Sequence, residues 1–165
     1  RLSFGVYDSD SPEARTDMDL TENSLFVVFA ICAAVLSLKM IAVGHFTGLT
    51  RIRRRVYLNP EDAKAFSKME ESASAEHPDV ERGLRAHRND LESTLPFFGI
   101  GLVYVLMSPP ALLAQVLLIT FTVFRCVFSL FYLRALQPWR SLSFTVAELC
   151  LGVMLVQILW LGLAG

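Results

Sequence analysis

Apolar residues crowd into four stretches of the chain: Leu25 to Thr50, Leu91 to Met107, Ala111 to Leu133 and Leu142 to Leu163. A helix needs about 20 mostly apolar residues to cross the hydrocarbon of a bilayer. The second stretch reaches that length only when extended back into VERGLRAHRND, Val80 to Asp90, so those polar residues are expected in the same helix. The predicted spans are residues 25–50, 83–107, 111–134 and 141–163. A soluble four-helix bundle would show a polar stripe on every helix. The third and fourth stretches have almost none. The pattern therefore predicts an all-α fold, an integral membrane four-helix bundle.

Composition agrees with this. Of 165 residues, 53% are hydrophobic, too many for most soluble domains of this size. Residues 1–24 form an acidic tail with six carboxylates against two arginines and few apolar side chains. That composition predicts disorder, and it lacks the apolar core of a signal peptide. The chain does not begin with Met, as a truncated or processed chain would not. Residues 25–165 make one transmembrane domain with a loop over about 51–82.

Charge distribution sets the expected topology. The loop between the first two spans carries Arg51, Arg53, Arg54, Arg55, Lys64, Lys68, Arg82, Arg85 and Arg88, and the turn before the last span carries Arg134 and Arg140. The Ser108-Pro109-Pro110 turn has no charge. Positive-inside bias then puts the basic loops in the cytosol and both termini on the other side. The RIRRR run reads as a topology determinant next to the membrane, not as a nucleic-acid site. Asn59-Pro60-Glu61-Asp62 suits a helix start, with Asn59 as N-cap and Pro60 in the first turn. Lys68 to His77 is expected to be mobile, and His77-Pro78-Asp79 to open the next helix. Pro96 should kink that helix or free a carbonyl. Cys32, Cys126 and Cys150 all lie in apolar stretches, with no spacing that marks a disulfide or metal site.

Chemistry concentrates in a few polar positions. Arg85, Arg88, Asn89 and Glu92 stand at i, i+3, i+4 and i+7, one narrow stripe of a helix. Two guanidiniums, an amide and a carboxylate suit a ligand with both carboxylates and an ammonium group. The other reading is a charged helix end with snorkelling arginines, and for Arg82 and Arg85 both remain open. Glu92, a turn inside the apolar region, needs a partner. Arg125 either ties helices together or meets a polar ligand, the structural role being favoured. Glu148 is a candidate partner for it, and Lys39 is expected to pair with an acid of another helix or to snorkel.

These residues resemble the MAPEG family, the membrane-associated proteins of eicosanoid and glutathione metabolism. The resemblance runs from about Leu25 to Leu163. It is carried by N-P-E-D at Asn59 to Asp62, by V-E-R-x-x-R-A-H-x-N-D-x-E from Val80 to Glu92, and by R-S-L-S-F from Arg140 to Phe144. PFFGIGLVY from Pro96 looks like the microsomal glutathione transferases of the family, while Arg88 and Ser141 look like its prostaglandin E synthases. The resemblance implies homotrimers, with glutathione as co-substrate between subunits near the cytosolic face and no metal. It implies that Arg88, Asn89 and Glu92 hold the tripeptide, with Tyr132 and Arg140 completing the pocket. Arg51 would come from a neighbouring subunit, and Arg85 would assist. Asp62, His87 and Arg125 would support the site.

Arg140 is the candidate to stabilise the glutathione thiolate, because a nearby cation lowers a thiol pKa, and Ser141 to donate a hydrogen bond to the sulfur. The implied activity is a glutathione transferase acting on lipophilic electrophiles, with peroxidase activity toward lipid hydroperoxides. The alternatives are a prostaglandin-endoperoxide isomerase and a non-catalytic lipid-binding membrane protein. The implied location is the endoplasmic reticulum membrane, with the outer mitochondrial membrane second. Phe128 departs from the family pattern, standing where a histidine is expected one turn before Tyr132. Phe144 replaces the tyrosine of the synthases.

Overall fold

The computed structural model describes residues 24–67 and 72–164. The acidic tail predicted over 1–24 therefore lies outside the described residues, apart from Ser24, and so does the start of the segment expected to be mobile, Lys68 to Glu71. Five helices follow one another: α1 (Ser24–Arg54), α2 (Pro60–Ser67), α3 (Pro78–Leu106), α4 (Ala111–Leu133) and α5 (Trp139–Ala164). No strand occurs among the described residues. Three helices, α1, α4 and α5, are long and apolar enough to cross a membrane. α3 falls short of that measure because its first half carries the charged motif.

Local chemistry sets the helix ends. α1 runs past Thr50 into its basic segment and finishes on Arg51, Arg53 and Arg54, cations that favour the negative end of a helix dipole. Arg55, at φ 52°, then turns the chain out of the helix. α3 starts at Pro78, where His77-Pro78-Asp79 is expected to open it and five residues before the predicted span at 83. His77 caps it by accepting from the Asp79 amide at 3.1 Å, Pro78 fills the first turn, and Asp79 and Glu81 follow. The helix passes through Pro96 without a break. Because proline has no N–H, the Glu92 carbonyl loses its usual helical donor.

The four long helices pack side by side, α1 on α3 and α4, and α5 on α4 and α3. Leu25, Phe29, Cys32 and Leu36 form one stripe of α1 at helical spacing. They meet Phe97 and Tyr104 of α3, Leu118 and Phe121 of α4, and Ala147 and Met154 of α5 in a single core. The Phe97 and Phe121 rings stack at 4.3 Å between centroids. Close approach of α1 and α3 depends on Gly83 and Gly101. A Cβ on Gly83 would stand 2.3 Å from Thr47 Oγ1, and one on Gly101 would stand 2.8 Å from the Phe29 ring. Away from this core the surface is a belt of exposed Leu, Ile, Val and Trp on all three apolar helices, as a lipid-facing surface requires.

Candidate functional site

One end of the bundle gathers the chemistry. A cavity of about 330 Å³ opens between α3, α4 and α5, lined by Asn89, Phe128, Tyr132, Arg140, Ser141 and Phe144. Its polar groups come from helix ends: Tyr132 from the last turn of α4, Arg140 and Ser141 from the first turn of α5. The positive end of the α5 dipole thus adds to the Arg140 charge in favouring an anion there.

Two contacts fix Arg140. Its guanidinium lies over the Tyr132 ring, 4.8 Å from the centroid. The Gln137 amide, turned so that both its ends are satisfied, accepts from Arg140 Nε at 3.1 Å and donates to Ser141 Oγ at 3.0 Å. Gln137 therefore couples the two candidate catalytic side chains. Nothing in the sequence singled it out except its place three residues before Arg140.

Beneath the cavity is a buried ionic cluster. Asp90 of α3 is fully buried and meets Lys39 Nζ of α1 at 2.7 Å and Arg125 Nη2 of α4 at 2.9 Å. Ser129 donates to the same carboxylate at 3.2 Å. Arg125, also fully buried, donates to the Asn89 carbonyl at 2.8 Å and approaches the Asn89 side-chain oxygen at 3.4 Å. Its guanidinium stands 4.8 Å from the Phe128 ring centroid. Arg125 thus ties α4 to α3 and fixes Asn89 from behind. Its ion-pair partner is Asp90, which corrects the expected pairing with Glu148, whose Oε1 is buried without a partner. Lys39 does pair with an acid of another helix.

The remaining predicted site residues lie elsewhere on this chain. Arg88 and Glu92 are exposed and make no ion pair or hydrogen bond among the described residues. The partner that Glu92 was expected to need is thus not supplied by the described residues of this chain. Arg85 is exposed and paired with Glu81 at 3.1 Å. Arg51, at the end of α1, is bound by the Glu76 carboxylate. His87 faces α1 across an apolar groove of about 800 Å³ with Ser37, Gly44 and His45. Asp62 accepts from Asn59 at 3.2 Å in the first turn of α2. The stripe Arg85–Arg88–Glu92 and the cavity with Asn89, Tyr132, Arg140 and Ser141 are therefore two adjoining surfaces of α3.

Asp90, the shared counter-charge of this cluster, is not among the residues that the sequence singles out. Its signal was present: it falls at helical spacing with Gly83, Ala86, Ser93, Phe97 and Gly101, the inward stripe of α3. No group of three or more His, Cys, Asp or Glu side chains placed to hold a metal occurs among the described residues.

Residues 29–160 match the MAPEG family. The chain is 38% identical over 144 residues to the prostaglandin E synthase of Bos taurus, covering 87% of this chain and 93% of that protein. It is 41% identical over 133 residues to the prostaglandin E synthase of Equus caballus, covering 80% and 86%. It is 40% identical over 135 residues to microsomal glutathione S-transferase 1 of Homo sapiens, covering 78% and 87%. With three apolar helices of spanning length, the chain is a multi-pass membrane protein.

Proposed function

The chain belongs to the MAPEG family, and we propose that it is a membrane-bound glutathione transferase working on lipophilic electrophiles, with peroxidase activity toward lipid hydroperoxides. The observation that carries this reading is the cavity in which Arg140 lies over Tyr132 beside Ser141. A thiolate is the nucleophilic form of a thiol, and a fixed guanidinium at a helix N-terminus favours it. Arg140 holds the sulfur as the anion, and Ser141 Oγ, which accepts from the Gln137 amide, donates its own hydrogen to it. The thiolate attacks an electrophilic carbon, the C–S bond forms, and the leaving group departs with the electron pair. With a hydroperoxide, two glutathione molecules become the disulfide while the substrate becomes an alcohol and water.

Three features support glutathione as the co-substrate. A relative of similar identity is named a glutathione S-transferase. Asn89, Tyr132 and Arg140 offer the donors that its carboxylates need. Arg85, Arg88 and Glu92 present both signs of charge on the adjoining face, matching a peptide that carries two carboxylates and an ammonium group. In a homotrimer that face would meet Arg51 of the next subunit and close the site near the cytosolic surface. The substrate's apolar part would enter from the bilayer past Phe128 and Phe144, which stand 5.8 Å apart on the cavity wall.

The second reading is a prostaglandin-endoperoxide isomerase. It is favoured by the wider coverage of this chain by a prostaglandin E synthase, 87% against 78% for the transferase. Product analysis separates the two. The transferase reading expects glutathione conjugates from several unrelated electrophiles and no single dominant product from the endoperoxide. Specific formation of one prostaglandin, with no conjugates, would transfer the assignment to the isomerase.

Glu76 provides a further check. Its carboxylate occupies Arg51, with the Glu76 side chain 9% exposed, and so stands where a ligand carboxylate would compete. Glu76→Gln is expected to lower the KM for glutathione by about three- to tenfold, the net worth of one ordinary hydrogen bond because Gln still accepts from Arg51, with kcat unchanged. An unchanged or raised KM would remove Arg51 from the binding set.

A further inference from the structure

A second polar cavity, of about 380 Å³, opens between the ends of α1, α3 and α4 and shares no lining residue with the Arg140 cavity. Three guanidiniums reach it, those of Arg53 and Arg54 from the last turn of α1 and of Arg82 from the start of α3. One carboxylate, Asp79, lines it and is engaged by Arg54 Nη2 at 2.6 Å. Arg53 and Arg82 form no ion pair or hydrogen bond among the described residues. Three cations against one anion leave the lining with two uncompensated positive charges.

The rest of the lining is apolar in character. Phe46, 47% exposed, lies about two turns before Arg53 on α1, and Leu133 ends α4. Thr50, between Phe46 and Arg54, spends its hydroxyl on the Phe46 carbonyl at 2.7 Å. The cavity therefore has a cationic mouth at the basic end of the bundle and an apolar wall that continues onto the exposed belt of α1 and α4. Neither catalysis nor glutathione binding uses this combination.

We infer that this cavity binds the phosphate of an anionic phospholipid, one per chain, with an acyl chain laid along Phe46 and Leu133. A phosphate supplies acceptors for the planar forks of Arg53 and Arg82, which pair bidentately with such groups. A basic pocket between spanning helices at the membrane rim is placed to take a lipid headgroup. The apolar wall selects the lipid over a free phosphate ion, since an inorganic ion makes no use of Phe46 or Leu133. The inference is independent of the proposed reaction, as Arg53 and Arg82 lie outside the Arg140 cavity.

The test uses the full chain reconstituted in phosphatidylcholine bilayers containing a minor fraction of phosphatidylserine. Protein released into mild detergent is examined by native mass spectrometry for retained lipid. Phosphatidylserine is expected to be enriched about tenfold over its bilayer fraction, saturating at one molecule per chain. Arg53→Gln with Arg82→Gln should return the retained lipid to the bilayer ratio, and Arg53→Gln alone, at an exposed position, should lose part of the enrichment. Arg55→Gln with Lys64→Gln removes the same charge outside the cavity and should leave the enrichment intact. Retention in the bilayer ratio by the unaltered protein would overturn the inference. Equal loss in both double variants would overturn it too, as diffuse surface charge would then account for the effect. Displacement of the lipid by inorganic phosphate would replace the lipid assignment with a free-phosphate site.

Discussion

Arg140→Ala is expected to assemble normally, bind glutathione more weakly and lose its thiolate absorbance at neutral pH, with turnover of a lipophilic electrophile falling about 10²- to 10³-fold. The size follows from position. Arg140 is the guanidinium in the cavity's lining, held by the Tyr132 ring and by Gln137. Its charge is thus preorganised where the sulfur would become an anion, and no solvent reorganisation is needed at the moment of reaction. Arg140→Lys keeps the charge but loses the planar fork that sits between ring and amide, so an intermediate loss is expected. Gln137→Leu should reproduce part of that loss without removing charge. If Arg140→Ala shows thiolate absorbance equal to the unaltered protein, the cation that stabilises the sulfur lies elsewhere.

Asp90→Ala carries the largest expected effect on stability. Asp90 is fully buried and is the counter-charge shared by Lys39 and Arg125. Deleting it leaves two cations of α1 and α4 facing each other without an anion, and losing one partner of a buried pair costs about 3–5 kcal/mol. Asp90→Asn retains the shape and one acceptor but not the charge, so it should fall between. Thermal unfolding in detergent without glutathione reads the effect free of ligand linkage. A midpoint equal to that of the unaltered protein would show that the cluster is not a structural tie. Because Arg125 also holds the Asn89 carbonyl, a folded Asp90 variant should show a raised KM for glutathione.

Much of the architecture was legible in hydropathy alone. Length and apolar content mark α1, α4 and α5 as spanning helices, and the all-α membrane fold stands. α3 was legible for a different reason: its apolar run is too short without the charged motif, so the motif had to be helical. Its start was legible too, in His77-Pro78-Asp79, which opens the helix five residues before the predicted span at 83.

The candidate site was legible only in part, and the reason is geometric. Spacing along one helix groups residues by face but does not say which face turns inward. Arg85, Arg88 and Glu92 were grouped on that ground and lie exposed, whereas Asp90, two residues before Glu92, points into the bundle. Pairing across helices was less accessible still. Arg125 was matched with Glu148, the acid of the second half of the chain, when the nearer carboxylate in space was Asp90. The gathering of Asn89, Tyr132, Arg140 and Ser141 in one cavity depends on α3, α4 and α5 meeting at one end. Neither periodicity nor composition encodes that meeting, and the family resemblance supplied it.

The central claim is that the Arg140 cavity binds glutathione and holds its thiol ionised. Titrating glutathione into the purified, detergent-solubilised protein at pH 7, below the ordinary thiol pKa of about 8.5, and following the ultraviolet absorbance of the thiolate tests it directly. A saturable thiolate signal that disappears in Arg140→Ala is the predicted result. Saturable binding with no thiolate signal would contradict the account, and no binding at all would contradict it and return the chain to the non-catalytic, lipid-binding reading.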